Sequence, residues 1–132
     1  MDDEIFDAII IGGGLSGLAA AWTLADAEKT VLLIEKGDYC GAKNVTGGRL
    51  YVSPVRGVLG ELLENAPLER SISREELCVM APEGSLTLSY TDPTLSEIPG
   101  QSYSVLRAKL DRFLAKQAEK KGASIITKMR VD

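Results

Sequence analysis

The sequence predicts an α/β fold organised around a parallel sheet. Three observations carry that expectation. Ile5–Ile11 is almost continuously apolar, β-branched and ended by glycine, the pattern of a buried strand. Leu15 to about Ala27 is rich in alanine and leucine and reads as a helix, with Gly17, Ala20 and Ala21 letting one face lie close to a sheet. Thr30–Glu35 reads as a second strand that ends on an acid. Strand, helix and strand joined by short connections form a βαβ unit, whose crossover makes the two strands parallel.

The remaining elements follow in chain order. Gly37–Tyr51 holds Gly37, Gly41, Gly47 and Gly48 and is expected to be one long functional loop. Ser53-Pro54 reads as an N-cap with proline at the first helical position, opening a short helix that carries Val58, Leu59, Leu62 and Leu63. Glu76–Ala81 and Ser85–Thr91 read as a hairpin turning at Pro82-Glu83-Gly84, an insertion over about residues 72–91. Leu86, Leu88 and Tyr90 alternate with Thr87 and Ser89, which predicts one wet face. Asp92–Gly100 is expected as a loop with two prolines. Ser104 is expected to cap a helix running to about Lys121, with Leu106, Leu110, Phe113, Leu114 and Ala118 on one face and Gly122 as C-cap. Ala123–Thr127 closes the chain as another strand.

Composition narrows the chemistry. A chain of 132 residues, 45% of it hydrophobic, has room for one compact domain over residues 1–132 and an ordinary core. Fifteen basic against nineteen acidic residues exclude a strongly basic nucleic-acid binder. There is no histidine, so Ser-His-Asp catalysis and His-ligated zinc are excluded within these residues. Cys40 and Cys78 are too far apart for a C-x-x-C redox pair and read as free thiols; only Cys40 lies near the glycine-rich loop. The N-terminus lacks a basic secretory start, and the first apolar stretch is too short to cross a bilayer, so a cytoplasmic location is expected.

Gly12-Gly13-Gly14-Leu15-Ser16-Gly17 fits G-x-G-x-x-G. It follows a strand, opens a helix, and is followed by an acid at the end of the next strand, the context a dinucleotide site requires. Gly12 would permit the turn, Gly14 the backbone approach to a pyrophosphate, and Gly17 the packing of helix on strand. Leu15 and Ser16 open the helix, whose N–H groups face the phosphates. Glu35 is placed to accept hydrogen bonds from the adenosine ribose, with Lys36 beside it. A Glu at that position, and a fingerprint that opens the chain, lean toward FAD over NAD.

Two stretches are more specific. Gly41–Tyr51 (Gly-Ala-Lys-Asn-Val-Thr-Gly-Gly-Arg-Leu-Tyr), and Ser102–Leu114 with Ala118–Ala123, resemble the N-terminal part of a FixC-like dehydrogenase. These flavoproteins are related to electron transfer flavoprotein–quinone oxidoreductases and, more distantly, to geranylgeranyl reductases. The resemblance implies a Rossmann-like βαβ FAD-binding half-domain with a parallel sheet, plus a small antiparallel hairpin from the substrate-side sheet. It implies an FAD-dependent oxidoreductase exchanging electrons between an electron transfer flavoprotein-type donor and a quinone or ferredoxin-type acceptor. On this sequence it places Thr46, Gly47 and Arg49 along the flavin, Arg107 at a cofactor-contacting helix start, and the Val131 backbone at the adenine. Such proteins are much longer, so the expectation is an N-terminal fragment, inactive alone and prone to associate. Two other readings stay open: a geranylgeranyl-reductase-like or hydroxylase-like flavoenzyme, and a non-catalytic NAD-binding module.

Overall fold

A computed structural model describes residues 5–97 and 101–132. The βαβ unit forms with tighter limits, β1 Ala8–Ile11, α1 Leu15–Asp26 and β2 Val31–Ile34, but the first strand is not buried as expected: Ile9 and Ile11 are exposed, because α1 and the helix over Arg107–Lys120 cover only the other face of the sheet. β1 and β2 are parallel, with Ala8 opposite Val31 and Ile11 opposite Ile34. Below them Asp7 ties the strand ends together, its carboxylate accepting the Thr30 N–H at 2.8 Å and the Thr30 hydroxyl at 2.8 Å.

Gly47–Tyr51 is not loop but strand β3, which runs straight into α2, Val52–Leu63. Two glycines have poor intrinsic strand preference; long-range pairing with residues 102–106 overrides it. Because Val52 N–H already bonds Gln101 O at 3.0 Å, α2 begins before Ser53, with Tyr51 as N-cap. Ser53 and Pro54 lie inside the first turn, where a missing N–H costs nothing. Leu59 and Leu62 are buried, but Val58 is half-exposed.

After β4, Leu68–Ser71, the hairpin is longer than expected: β5 Arg74–Ala81 and β6 Gly84–Thr91, paired from Arg74–Thr91 to Ala81–Gly84. The alternation of Leu77, Val79, Leu86 and Leu88 is present, yet these side chains are about 60% exposed. Neither face of the hairpin is covered among the described residues, so the expected contrast of dry and wet faces is absent. A 3-10 turn, Pro93–Ser96, occupies part of the next loop, capped by Asp92; the second proline of that loop lies outside the described residues.

Ser104 does not cap a helix. It sits inside β7, Ser102–Leu106, between β3 and β4, and both pairings are antiparallel. The sheet claims these residues, and the helix α3 starts only at Arg107, running to Lys120. Leu106, expected on the helix's apolar face, ends the strand instead and is exposed. Lys121 is the C-cap, and Gly122, one residue on, takes the left-handed φ of +104°. β8, Ser124–Ile126, then pairs parallel with β2, giving the order β1-β2-β8.

The core lies where α1 and α3 cover one face of this sheet. Leu18, Ala21 and Ala25 meet Val31, Leu33, Leu110, Leu114 and Ala118, and Leu59 and Leu62 extend the cluster to α2. Of the small α1 residues expected to face the sheet, Gly17 and Ala21 do so, while Ala20 is turned outward. Among the described residues no helix is long and apolar enough to cross a membrane.

Candidate nucleotide-binding site

The site begins at the turn between β1 and α1. Gly12 holds φ +100°, a left-handed conformation that disfavours any side chain, and its N–H bonds Ile34 O at 2.8 Å. Gly17 faces back onto that turn: a Cβ there would overlap the Gly12 carbonyl oxygen and lie 3.3 Å from Ile10 Cγ2. Gly14 differs from both. It is the N-cap of α1 with no side-chain cap, and a Cβ built on it meets nothing within 4 Å. The first N–H groups of α1, from Leu15 and Ser16 onward, therefore face open space from a helix end with no side chain over it. That is room and hydrogen-bonding capacity for a phosphate.

Glu35 follows β2 and reaches across to the turn. Oε2 accepts the Gly13 N–H at 2.7 Å and Oε1 accepts the Gly37 N–H at 2.6 Å. The side chain thus braces two glycine segments, a task its spacing from the fingerprint did not announce. Each carboxylate oxygen has a second lone pair for another donor. Lys36 is exposed. The chain after β8 folds over this end: Lys128 N–H bonds Gly37 O at 2.9 Å and Met129 N–H bonds Glu35 O at 3.1 Å. Val131, two residues further, is half-exposed.

A second cluster forms where β3 meets the start of α3. Arg107 N–H bonds Thr46 O at 3.1 Å, and Gly47 pairs with Leu106. The Arg107 guanidinium grips Asp111 through Nε at 3.0 Å and Nη2 at 3.1 Å. Asp111 is fully buried and also accepts the Asn44 side-chain N–H at 3.3 Å. Asp111 and Asn44 escaped the sequence reading; the four-residue spacing of Arg107 and Asp111 on a helix was the available signal.

Arg49 stands apart from both clusters. Its Nε donates to Ser102 Oγ at 2.8 Å, its Nη2 to Glu75 Oε1 at 2.6 Å, and its guanidinium lies 4.4 Å over the Tyr51 ring. The hydrogen bond to Glu75 raises the Arg49 pKa further, and the same bond holds the Glu75 carboxyl below the usual carboxylate range. Arg49 therefore ties the base of the hairpin to β3 and β7.

The loop between β2 and β3 joins the two clusters by close packing. Cys40 is buried against Gly13, so tightly that a Gly13 Cβ would overlap its sulfur. Burial, then the Glu35, Glu119 and Asp111 charges, pushes the Cys40 thiol up to about 11. It is a neutral packing group at physiological pH, not a nucleophile. Gly41, at φ +88°, lies against α3, where a Cβ would stand 2.8 Å from Asp111 Cβ and 3.2 Å from Ala108 Cα. Thus Gly12, Gly14, Leu15, Ser16, Gly17 and Glu35 share one surface, and Thr46, Gly47 and Arg107 form the next.

Known proteins resemble this chain in sequence and fold. Residues 10–59 match the NAD(P)-binding Rossmann-like domain family. The chain is 46% identical over all its 132 residues to FixC of Salmonella typhi, covering 31% of that protein. It is 41% identical over the same span to YdiS of Escherichia coli K12, a probable electron transfer flavoprotein-quinone oxidoreductase, again covering 31% of it. The chain thus spans about a third of the length of these curated relatives. Among solved structures, the myxobacterial chondrochloren halogenase CndH, an FAD-dependent halogenase, superposes with a TM-score of 0.70 at 26% identity, over 95% of this chain and 29% of that one.

Proposed function

Starting from a chain that is FixC-like in sequence along all 132 residues, we propose that it is the FAD-binding part of a flavin-dependent oxidoreductase. The observation that carries this reading is the uncapped start of α1. Gly17 is closed against the Gly12 carbonyl, while positions 12 and 14 both leave open space at the helix start, a backbone that suits a pyrophosphate as well as a turn. In this reading the N–H groups of Leu15 and Ser16 hold the phosphates, and Glu35 accepts the ribose hydroxyls with the lone pairs that Gly13 and Gly37 leave free. The Val131 backbone meets the adenine, Lys36 lies at the ribose end, and Thr46, Gly47 and Arg107 border the flavin. Arg49 acts at one remove, by holding the hairpin.

The bound flavin supplies the redox chemistry, accepting and releasing an electron pair. This chain's residues bind it, orient it and set the charge around it. Arg107 is already neutralised by Asp111, so it offers direction more than net charge. In the whole protein the electrons would pass from an electron transfer flavoprotein-type donor to a quinone or ferredoxin-type acceptor, a reading supported by the name of the Escherichia coli relative.

The domain match to NAD(P)-binding proteins supports a second reading, in which NAD occupies the same cradle. Titration of the protein with FAD, followed by quenching of flavin fluorescence, and with NADH in parallel, separates the two. Saturable FAD binding that Gly14→Ala weakens at least tenfold supports the flavin reading. NADH binding with no response to FAD overturns it.

A further inference from the structure

The outward face of α3 carries a charge pattern that the nucleotide site does not use. Lys109, Arg112, Lys116 and Lys120 fall within an arc of about 80° and extend over about 16 Å at ordinary helical geometry. The chain as a whole is acidic, with a net charge of −4, so this stripe runs against the prevailing sign.

Helix surfaces gain from opposite charges at four-residue spacing and lose from like charges. Here Arg112, Lys116 and Lys120 repeat the same sign at that spacing. Among the described residues only Lys109 of these four forms an ion pair, with Glu69 on β4 at 2.9 Å; Glu119, three residues beyond Lys116, forms none. Arg112 is held in place, its guanidinium 3.8 Å above the Tyr39 ring. Beside the stripe a groove of about 430 Å³ opens between Tyr39, Pro67, Phe113 and the stems of the cations. It is an open trough with an apolar floor and a cationic rim. A local stability cost tolerated without internal pairing, next to an apolar groove, fits an external anion with an apolar portion.

We propose that this face docks an acidic segment of a partner protein, with carboxylates at helical spacing meeting Arg112, Lys116 and Lys120 and one apolar side chain entering the groove. The inference does not rest on the flavin reading, since it uses none of the residues of that site. A polypeptide fits better than a small metabolite because the cations are strung along a helix rather than gathered around a pocket.

The test uses the whole chain and a fluorescein-labelled helical peptide with glutamates at three- and four-residue spacing and one central phenylalanine. Fluorescence anisotropy is read at low salt and at about 0.3 M salt, where the Debye length is shorter. The expected result is saturable binding, weaker at high salt, and at least tenfold weaker for Arg112→Gln/Lys116→Gln, with the far-UV CD spectrum of the variant unchanged. Phe113→Ala should weaken binding without changing the salt dependence. Vesicles of phosphatidylcholine with phosphatidylglycerol serve as the competing arm. No anisotropy change, equal binding by the double variant, or vesicle capture without peptide binding would overturn the proposal.

Discussion

Gly17 and Gly14 lie three residues apart, yet the structure gives them opposite tasks, and a paired substitution separates packing from ligand binding. Gly17→Ala places a methyl group on the Gly12 carbonyl oxygen and against Ile10 Cγ2. The obstacle is backbone, which cannot rotate aside, so α1 must lift from β1. Overpacking of this kind costs about 1–3 kcal/mol, and a rigid obstacle puts it at the upper end. Replacing a helical glycine with alanine returns at most about 1 kcal/mol. The net loss is about 2 kcal/mol, which at a urea m-value of about 2 kcal/mol/M lowers the unfolding midpoint by about 1 M. Gly14→Ala meets no neighbour and has an unstrained φ of −86°. Its stability should stay within about 1 kcal/mol of the parent, the range of a weaker N-cap, while FAD affinity falls. Urea titrations followed by far-UV CD measure the first effect, and flavin titration the second. A Gly17→Ala protein as stable as the parent would refute the close packing of α1 on the turn. A Gly14→Ala protein that keeps full FAD affinity would refute the phosphate cradle.

Three further outcomes are expected. Asp111→Ala strips the buried partner from Arg107 and Asn44; since Arg107 can still swing toward water, the loss should lie near the low end for broken buried pairs, about 3 kcal/mol, and a change below 1 kcal/mol in urea titration would contradict the grip described. In native protein at pH 8, a thiol reagent such as DTNB should label exposed Cys78 and leave Cys40 untouched until urea is added, because the Cys40 thiol is buried and pushed up to about 11; its raised pKa means that any stability it lends is present below the ordinary thiol pKa and is lost as pH rises from there through about 11. Asp7, Glu75 and Asp92 are all held below the usual carboxylate range, by hydrogen bonds from the Thr30 backbone, the Arg49 guanidinium and the Thr94 hydroxyl respectively. The folded state therefore favours their charged forms, so the urea midpoint should fall as pH drops below about 4, and Asp7→Asn should flatten part of that decline.

What could be read from the sequence was local in the chain. The glycine spacing of residues 12–17, the apolar runs before and after it, and the acid closing the second strand gave the parallel βαβ unit. Each depends on backbone sterics and side-chain periodicity over a few residues. Gly122 marked the end of α3 for the same reason. The absence of histidine among these 132 residues and the excess of acids narrowed the chemistry these residues can themselves supply before any geometry was known.

Tertiary structure decided what depends on distant partners. Gly47 becomes a strand because Leu106 lies opposite it, a pairing across almost sixty residues that no local preference announces. Ser104 is drawn from a cap into the centre of a sheet by the same pairing. Arg49 acquires Ser102 and Glu75 as partners, 53 and 26 residues away in the chain, and Cys40 becomes inert because Gly13 leaves space for its sulfur. The hairpin shows the converse: its alternation specifies a strand with one apolar face, but alternation cannot supply the surface that would cover it. Periodicity records which side chains share a face; burial, charge pairing and reactivity depend on what the fold sets against that face.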